Sequence, residues 1–287
     1  MPLAGVEMPG DRMHRSQDTE VFMGTLSSSK RILVTGASRG IGRATALALA
    51  RQGHTVVAAA RDEALLQQLA REIATTGGRA EVLAMDVTDD TSVEAGIDKL
   101  LHGGPCDIVI NNAGSCDQAE FLAQEPTTRR AEMELNYWGA QRVTRALLPS
   151  MMRRGAGTIV NVSSLLGSIA APSTANYSAT KAALEAWSHA LRGEISRFGI
   201  QVVVFVAPHT DTPMGRRVRF EGVVSLPVDY TVKELLRAVD RAPRKYAASP
   251  VYRLLLRLAG LFPAFMEGRV AASAQPRLGL SRSGLHS

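Results

Sequence analysis

Tyr177 and Lys181 lie four residues apart, with Ser164 thirteen residues upstream. Residues four apart on a helix share one face, so a phenol and an ammonium at this spacing can serve the same spot. An ammonium beside a phenol favours the phenolate and lowers the phenol pKa, which turns a weak acid into a usable proton donor near neutral pH. Ser164 would add a third hydrogen-bonding group. Y-x-x-x-K alone is also what a solvated helix face shows by chance, so the reading depends on the elements that would position it.

Those elements are legible as hydrophobic runs. Short apolar runs occur at 32–34, 56–59, 82–84, 108–110, 159–162 and 202–206. Between them, apolar residues recur at helical spacing over 41–51, 64–75, 92–101, 127–152 and 177–198. Strands that are apolar on both faces and separated by helices predict a parallel sheet covered on both sides. The expected fold is therefore α/β, a doubly wound, Rossmann-like single domain whose ligands sit beyond the carboxyl ends of the strands.

The residues at those ends are the informative ones. The first run leads into Thr35-Gly36-Ala37-Ser38-Arg39-Gly40-Ile41-Gly42. Gly36 permits a tight turn, Gly40 a close backbone approach and Gly42 helix-on-strand packing, while the helix N-terminus that follows suits a pyrophosphate. The second run ends at Arg61, where selectivity for a free ribose 2′-hydroxyl would call for an acid. Arg61 and Arg39 can instead pair with a 2′-phosphate, so NADP(H) is expected over NAD(H), with the adjacent Asp62 pulling the other way. Asp86 and Val87 follow the third run and could meet an adenine. Asn112, Ala113 and Gly114 follow the fourth, small enough for a cofactor to lie against the backbone. Asn136 falls inside the long helix of 127–152, where it needs a polar partner such as a water or a main-chain carbonyl near the lysine.

Composition excludes several classes. The 287 residues are 45% hydrophobic, ample for one large domain. Cys106 and Cys116 are too few for a disulfide framework and lack metal-ligand spacing, which fits a reducing cytoplasm and no metal. The net charge is +6, but the 33 basic residues are dispersed and aromatics are only 5%, so no nucleic-acid platform is expected. The first 29 residues lack an apolar run of signal-peptide length, and no run reaches membrane-spanning length. Residues 1–29 and 271–287 read as disordered, with residues 30–270 as the catalytic domain.

Taken together, T-G-x-x-x-G-x-G, N-N-A-G, the helical Asn136, N-V-S-S and Y-x-x-x-K, in this order and spacing over residues 30–212, resemble the short-chain dehydrogenase/reductase family in its conventional form. The resemblance implies Tyr177 as general acid/base and Ser164 as the group orienting the substrate oxygen. It implies Lys181 as the residue that lowers the Tyr177 pKa and holds the nicotinamide ribose, and Asn136 as support for a proton-relay water. Pro208 and Thr212 would join the glycine loop and the strand-end residues against the cofactor. The implied activity is NADPH-dependent reduction of an apolar ketone or aldehyde, reversible as alcohol oxidation. The helices of 127–152 and 177–198 would pair subunits into a homodimer or homotetramer. A regulatory protein that keeps the fold without turnover is the alternative, and its expected mark, loss of Tyr177 or Lys181, is absent.

The chain departs from the family pattern at His209, where glycine usually follows the proline. Its ring would either point to solvent or project into the substrate cleft. Residues 214–230 read as a substrate-covering segment, followed by a helix over 232–241. Residues 251–266 are rich in Leu and Phe with Arg253 and Arg257, and have three readings: a helix packed on the domain or a subunit interface, a pocket wall, or a membrane-surface helix, with packing preferred.

Overall fold

The computed structural model describes residues 28–270 apart from 221, 263, 266, 267 and 269. The tails expected to be disordered therefore lie, but for residues 28 and 29, outside the described residues. Seven parallel strands form one sheet: β1 (Arg31–Thr35), β2 (Thr55–Ala60), β3 (Arg79–Ala84), β4 (Ile108–Asn111), β5 (Gly157–Ser164), β6 (Ile200–Ala207) and β7 (Lys245–Ala247), in the order β3-β2-β1-β4-β5-β6-β7. The chain runs outward from β1 to β3, then crosses back to β4. That reversal opens a crevice beyond Thr35 and Asn111, the place where doubly wound sheets hold ligands.

Alternation along the strands builds two separate cores. Ile32 and Val34 of β1, Ile108 and Ile110 of β4 and Val203 and Phe205 of β6 face one side. There they meet Leu49 of α1 (Gly40–Arg51), Leu66, Leu69 and Ile73 of α2 (Glu63–Thr75), and Leu235 and Val239 of α7 (Val228–Arg241). Leu33, Val109 and Val202 face the other side, against Val93 and Ile97 of α3 (Asp90–His102), Val143 and Leu147 of α5 (Gly139–Arg154), and Leu191 and Ile195 of α6 (Ala175–Ile195). Helix starts follow local chemistry. Asp62 caps α2 by accepting from the Leu65 N–H, and Asp89 caps α3 by accepting from the Ser92 N–H.

Three elements differ from the sequence expectation. The helix of 127–152 is three pieces: α4 (Pro126–Met133), a π-helical turn (Glu134–Trp138) and α5. The final helix before Pro243 starts at Val228 rather than 232, entered from Pro227, whose fixed φ suits the residue before a helix. β7 was not anticipated, since three residues opening on a lysine carry no alternating signal. Beyond it, α8 (Pro250–Leu261) starts at Ser249, whose hydroxyl accepts from the Val251 and Tyr252 N–H groups.

Candidate active site

β5 delivers Ser163 and Ser164 at its carboxyl end, and α6 runs back past them carrying Tyr177 and Lys181 one turn apart. Both are buried, Tyr177 at 8% and Lys181 at 4% exposure. The Lys181 Nζ donates to the Val162 carbonyl at 2.9 Å and stands 5.8 Å from the centre of the Tyr177 ring. Tyr177, Lys181, Ser164, Pro208 and His209 line one small cavity of about 90 Å³, whose other walls include Val162, Leu166, Met214 and Val218. The three residues singled out for chemistry thus share one space, and His209 borders it.

The electrostatics depart from the expectation drawn from spacing. Burial holds the Tyr177 phenol above its ordinary range, with Cys116 and Glu132 pushing the same way and a hydrogen bond from Ser164 opposing them. Burial also acts on the lysine, lowering its pKa to about 8 from an ordinary 10.5, while Cys116, Glu132 and Glu185 work against that fall. The predicted lowering of the phenol by Lys181 is not found: burial, which disfavours each charged form, dominates at both groups, and Lys181 is not among the groups that act on the phenol. A phenol in this state stays protonated at neutral pH and has a proton to give.

A larger cavity of about 360 Å³ adjoins the first and shares Ile41, Asn112, Gly114, Thr212 and Met214 with it. It lies over the crevice between β1 and β4, and its walls carry Gly36, Ser38, Arg39, Gly40, Arg61, Asp86, Val87 and Ala113 as well. Gly36 and Gly40 have φ of 65° and 56°, the left-handed region that glycine adopts without strain. Gly42 lines neither cavity. A Cβ there would lie 2.4 Å from the Gly36 carbonyl oxygen, so it is the packing contact between helix and loop. Thr35 ties the two crevice strands together, its hydroxyl accepting from the Asn112 and Ala113 N–H groups at 3.0 and 3.1 Å.

The donor set suits a dinucleotide. The N-terminus of α1 opens at this cavity with no side-chain cap and no acid in its first turn, which leaves its N–H groups and positive dipole end for an anion. Arg39 and Arg61 stand at the far wall, their side chains 68% and 72% exposed and only loosely paired with Asp62 at 3.5 Å and Asp86 at 3.9 Å. Thr212 borders both cavities, its hydroxyl accepting from the Gly215 N–H at 3.0 Å.

Asn136 lines neither cavity, yet it shapes both. Carried inward by the π-turn and 1% exposed, it accepts from the Ser115 N–H at 2.8 Å and donates to the Ser115 carbonyl at 2.9 Å and the Thr180 hydroxyl at 3.0 Å. It pins the loop segment that follows Gly114 to the helix bearing Lys181, and so holds the main-chain carbonyl anticipated for it.

Sequence reasoning passed over Glu185 and Lys245. The buried Glu185 carboxylate accepts from the Ser163 hydroxyl at 2.7 Å, the Ser168 hydroxyl at 3.2 Å and the Lys245 ammonium at 2.7 Å. Glu185 is one further turn along the Tyr177–Lys181 face, a signal present in the spacing; Lys245 comes from the unanticipated β7. Glu132 was also missed, and it accepts from the Asp117 N–H and from the Asn176 amide just before Tyr177.

Comparison with known proteins places this arrangement. The family model for short chain dehydrogenase matches residues 30–221. The chain is 36% identical over 181 residues to the ketoacyl reductase HetN of a Nostoc species, a match spanning 63% of each chain. It is 32% identical over 232 residues to the oxidoreductase UcpA of Salmonella typhimurium, covering 80% of this chain and 86% of that one. Among solved structures, a short-chain dehydrogenase from Streptomyces avermitilis superposes with a TM-score of 0.72 at 32% identity, over 83% of this chain and 94% of the other. A short chain dehydrogenase from Burkholderia cenocepacia in complex with NADP gives 0.75 at 27% identity, over 86% and 99%. A family model that matches residues 30–221 and relatives more than 30% identical over four fifths of the chain show the family: the chain belongs to the short-chain dehydrogenase family of oxidoreductases.

Proposed function

We propose that this protein is an NADPH-dependent reductase of ketones or aldehydes, working in reverse as a secondary-alcohol dehydrogenase, on small to medium, apolar carbonyl compounds. The carrying observation is that Tyr177, Ser164 and Lys181 share one small, largely apolar cavity that adjoins the larger crevice cavity. When bound there, NADPH would supply the hydride; the protein's own groups manage the oxygen. Ser164 donates a hydrogen bond to the carbonyl oxygen and stabilises the charge that develops on it. Tyr177 gives that oxygen its proton, a downhill transfer because an alkoxide is a stronger base than even a buried phenolate. Lys181, held by Val162, places its ammonium behind the phenol and beside the candidate ribose position. Asn136 keeps the loop at Ser115 and the helical turn at Thr180 together, so that this geometry is preformed.

The preference for NADPH rests on Arg39 and Arg61, exposed and weakly paired, hence free to turn to a 2′-phosphate. A Sphingobium yanoikuyae short-chain dehydrogenase solved with NADPH, 29% identical with a TM-score of 0.71, supports the same choice. Val162, Leu166, Met214 and Val218 around the cleft support an apolar substrate, with His209 as its polar neighbour. Assembly as a homodimer or homotetramer through α4, α5 and α6, and residence in the cytoplasm, complete the reading. The test is NADPH oxidation over a panel of ketones, wild type against Tyr177→Phe. Turnover in the variant should fall by roughly two to four orders of magnitude, the scale of a lost general acid. Equal turnover on every active substrate would remove Tyr177 from its role.

A further inference from the structure

Helix α8 carries two apolar faces, and only one of them is covered. Tyr252 and Leu256 pack against Val204, Val206 and Ala247 of the sheet, beside Leu165. The opposite face carries Val251, Leu254, Leu258 and Leu261 at the spacing of one helical stripe. Val251, Leu254 and Leu261 are 63%, 56% and 70% exposed, and Phe262 and Phe265 beyond the helix end are 58% and 67% exposed. So many large apolar side chains open to water on one element mark an interaction surface.

Charge selects the occupant. Arg253 and Arg257, four residues apart and exposed, flank the open stripe, and neither has an ion-pair partner among the described residues. Residues 241–287 contain eight arginines and lysines and a single acid, Glu267, so the chain's whole net charge of +6 resides in this C-terminal part and the remainder is close to neutral. A stripe of Leu, Val and Phe edged by arginines, within an acid-poor basic segment, matches an anionic lipid surface: the apolar face enters the acyl boundary and the guanidinium groups reach the phosphates. A second protein surface would give these arginines carboxylates to meet, whereas this chain offers no acid in 241–266 for a copy of the segment to use. No helix among the described residues is long and apolar enough to cross a membrane, so the helix would lie in the interface plane.

We propose that α8 docks this protein on an anionic membrane surface, with Val251, Leu254, Leu258 and Leu261 toward the lipid and Arg253 and Arg257 at the headgroups. Leu165, on the covered side of the helix, directly follows Ser164, so docking brings the candidate cleft close to the bilayer. The proposal concerns binding and stands whatever the substrate.

The experiment is co-flotation of the full-length protein with vesicles of phosphatidylcholine alone or mixed with phosphatidylserine, at low and high salt. Wild type should float with the mixed vesicles, weakly or not at all with pure phosphatidylcholine, and less as salt rises. Arg253→Glu with Arg257→Glu should lower partitioning on to mixed vesicles by roughly 30-fold or more, about 5-fold for each arginine lost. Val251→Ser with Leu254→Ser and Leu261→Ser should abolish flotation with an unchanged melting temperature, since these positions face outward. Wild type that never floats, or a serine variant that floats like wild type, overturns the proposal. So does a wild type that does not float but whose oligomer the serine variant dissociates, because the face then belongs to a second copy.

Discussion

Removing Glu185 should loosen the end of β5 more than any surface charge could. Its side chain is only 9% exposed, and it receives two hydroxyls and the Lys245 ammonium, whose own side chain is 32% exposed. Glu185→Ala leaves the Ser163 hydroxyl without its acceptor and Lys245 with only the Ser168 hydroxyl, at 3.0 Å. Each hydrogen bond to a charged group contributes about 1.5–3 kcal/mol. The ion pair adds less, being partly open to solvent, so the loss comes to roughly 3–5 kcal/mol, the range for breaking a buried pair. For a domain of this size each kcal/mol moves the melting temperature by about 2–4 °C, giving a drop of roughly 6–20 °C. Glu185→Gln preserves shape and loses charge, and should cost about a third as much as the alanine change. The assay is thermal unfolding of both variants, of Lys245→Met and of the Glu185→Ala/Lys245→Met double variant. The double variant should melt higher than the sum of the single losses implies, because no buried charge is then left alone. Additive losses, or Glu185→Ala melting within a degree of wild type, would refute the reasoning that this network fastens β7 to β5.

Two further outcomes follow from the same geometry. The Lys181 pKa near 8 lies below its ordinary 10.5, so the buried charge opposes folding fully below pH 8 and is relieved as pH climbs toward 10.5. The stability of wild type relative to Lys181→Met, followed by denaturant titration, should therefore rise across that window by roughly 3 kcal/mol; a flat difference would contradict the depressed pKa. Arg61→Asp should weaken NADPH binding by at least about tenfold while leaving NADH nearly unchanged, read by fluorescence titration of each, since a charge-assisted pairing with the 2′-phosphate is worth about 1.5–3 kcal/mol. Equal effects on both cofactors would sink the phosphate pairing.

Most of the sheet was readable because its strands are buried on both faces and announce themselves as uninterrupted apolar runs. β7 escaped because Lys245-Tyr246-Ala247 owes its place to Val204, Phe205 and Val206 alongside it rather than to any pattern of its own. Tyr177, Lys181, Ser164 and the glycine loop could be picked out because their motifs are local in the chain, and the fold brings them to two adjoining cavities. Electrostatics could not: four residues of separation between Tyr177 and Lys181 says that they are neighbours, but not that both are withdrawn from water. Glu185 and Glu132 were missed for a related reason, since acids on a helix read as solvated until the partners that bury them, Ser163, Asn176 and Lys245, are brought in from distant parts of the chain.

The π-turn at Glu134–Trp138 sets a limit on how this chain can change length. A loop such as the one around Gly104 has open space at its tip and can take an added residue locally. The π-turn carries one residue more than an α-turn would, and that surplus is what aims Asn136 at Ser115 and Thr180. Deleting a single residue here would relax the turn to ordinary helix, a locally favourable change that leaves α4 and α5 in phase, since five π-helical residues turn the chain about as far as four α-helical ones. Val143, Leu147 and Met151 of α5 would stay against the sheet, and what would be lost is the aim of Asn136 at Ser115 and Thr180. The sheet-facing stripe of α5 would tolerate the shorter turn, whereas the inward placement of Asn136 would not, so the residue count here is set by one buried amide rather than by packing.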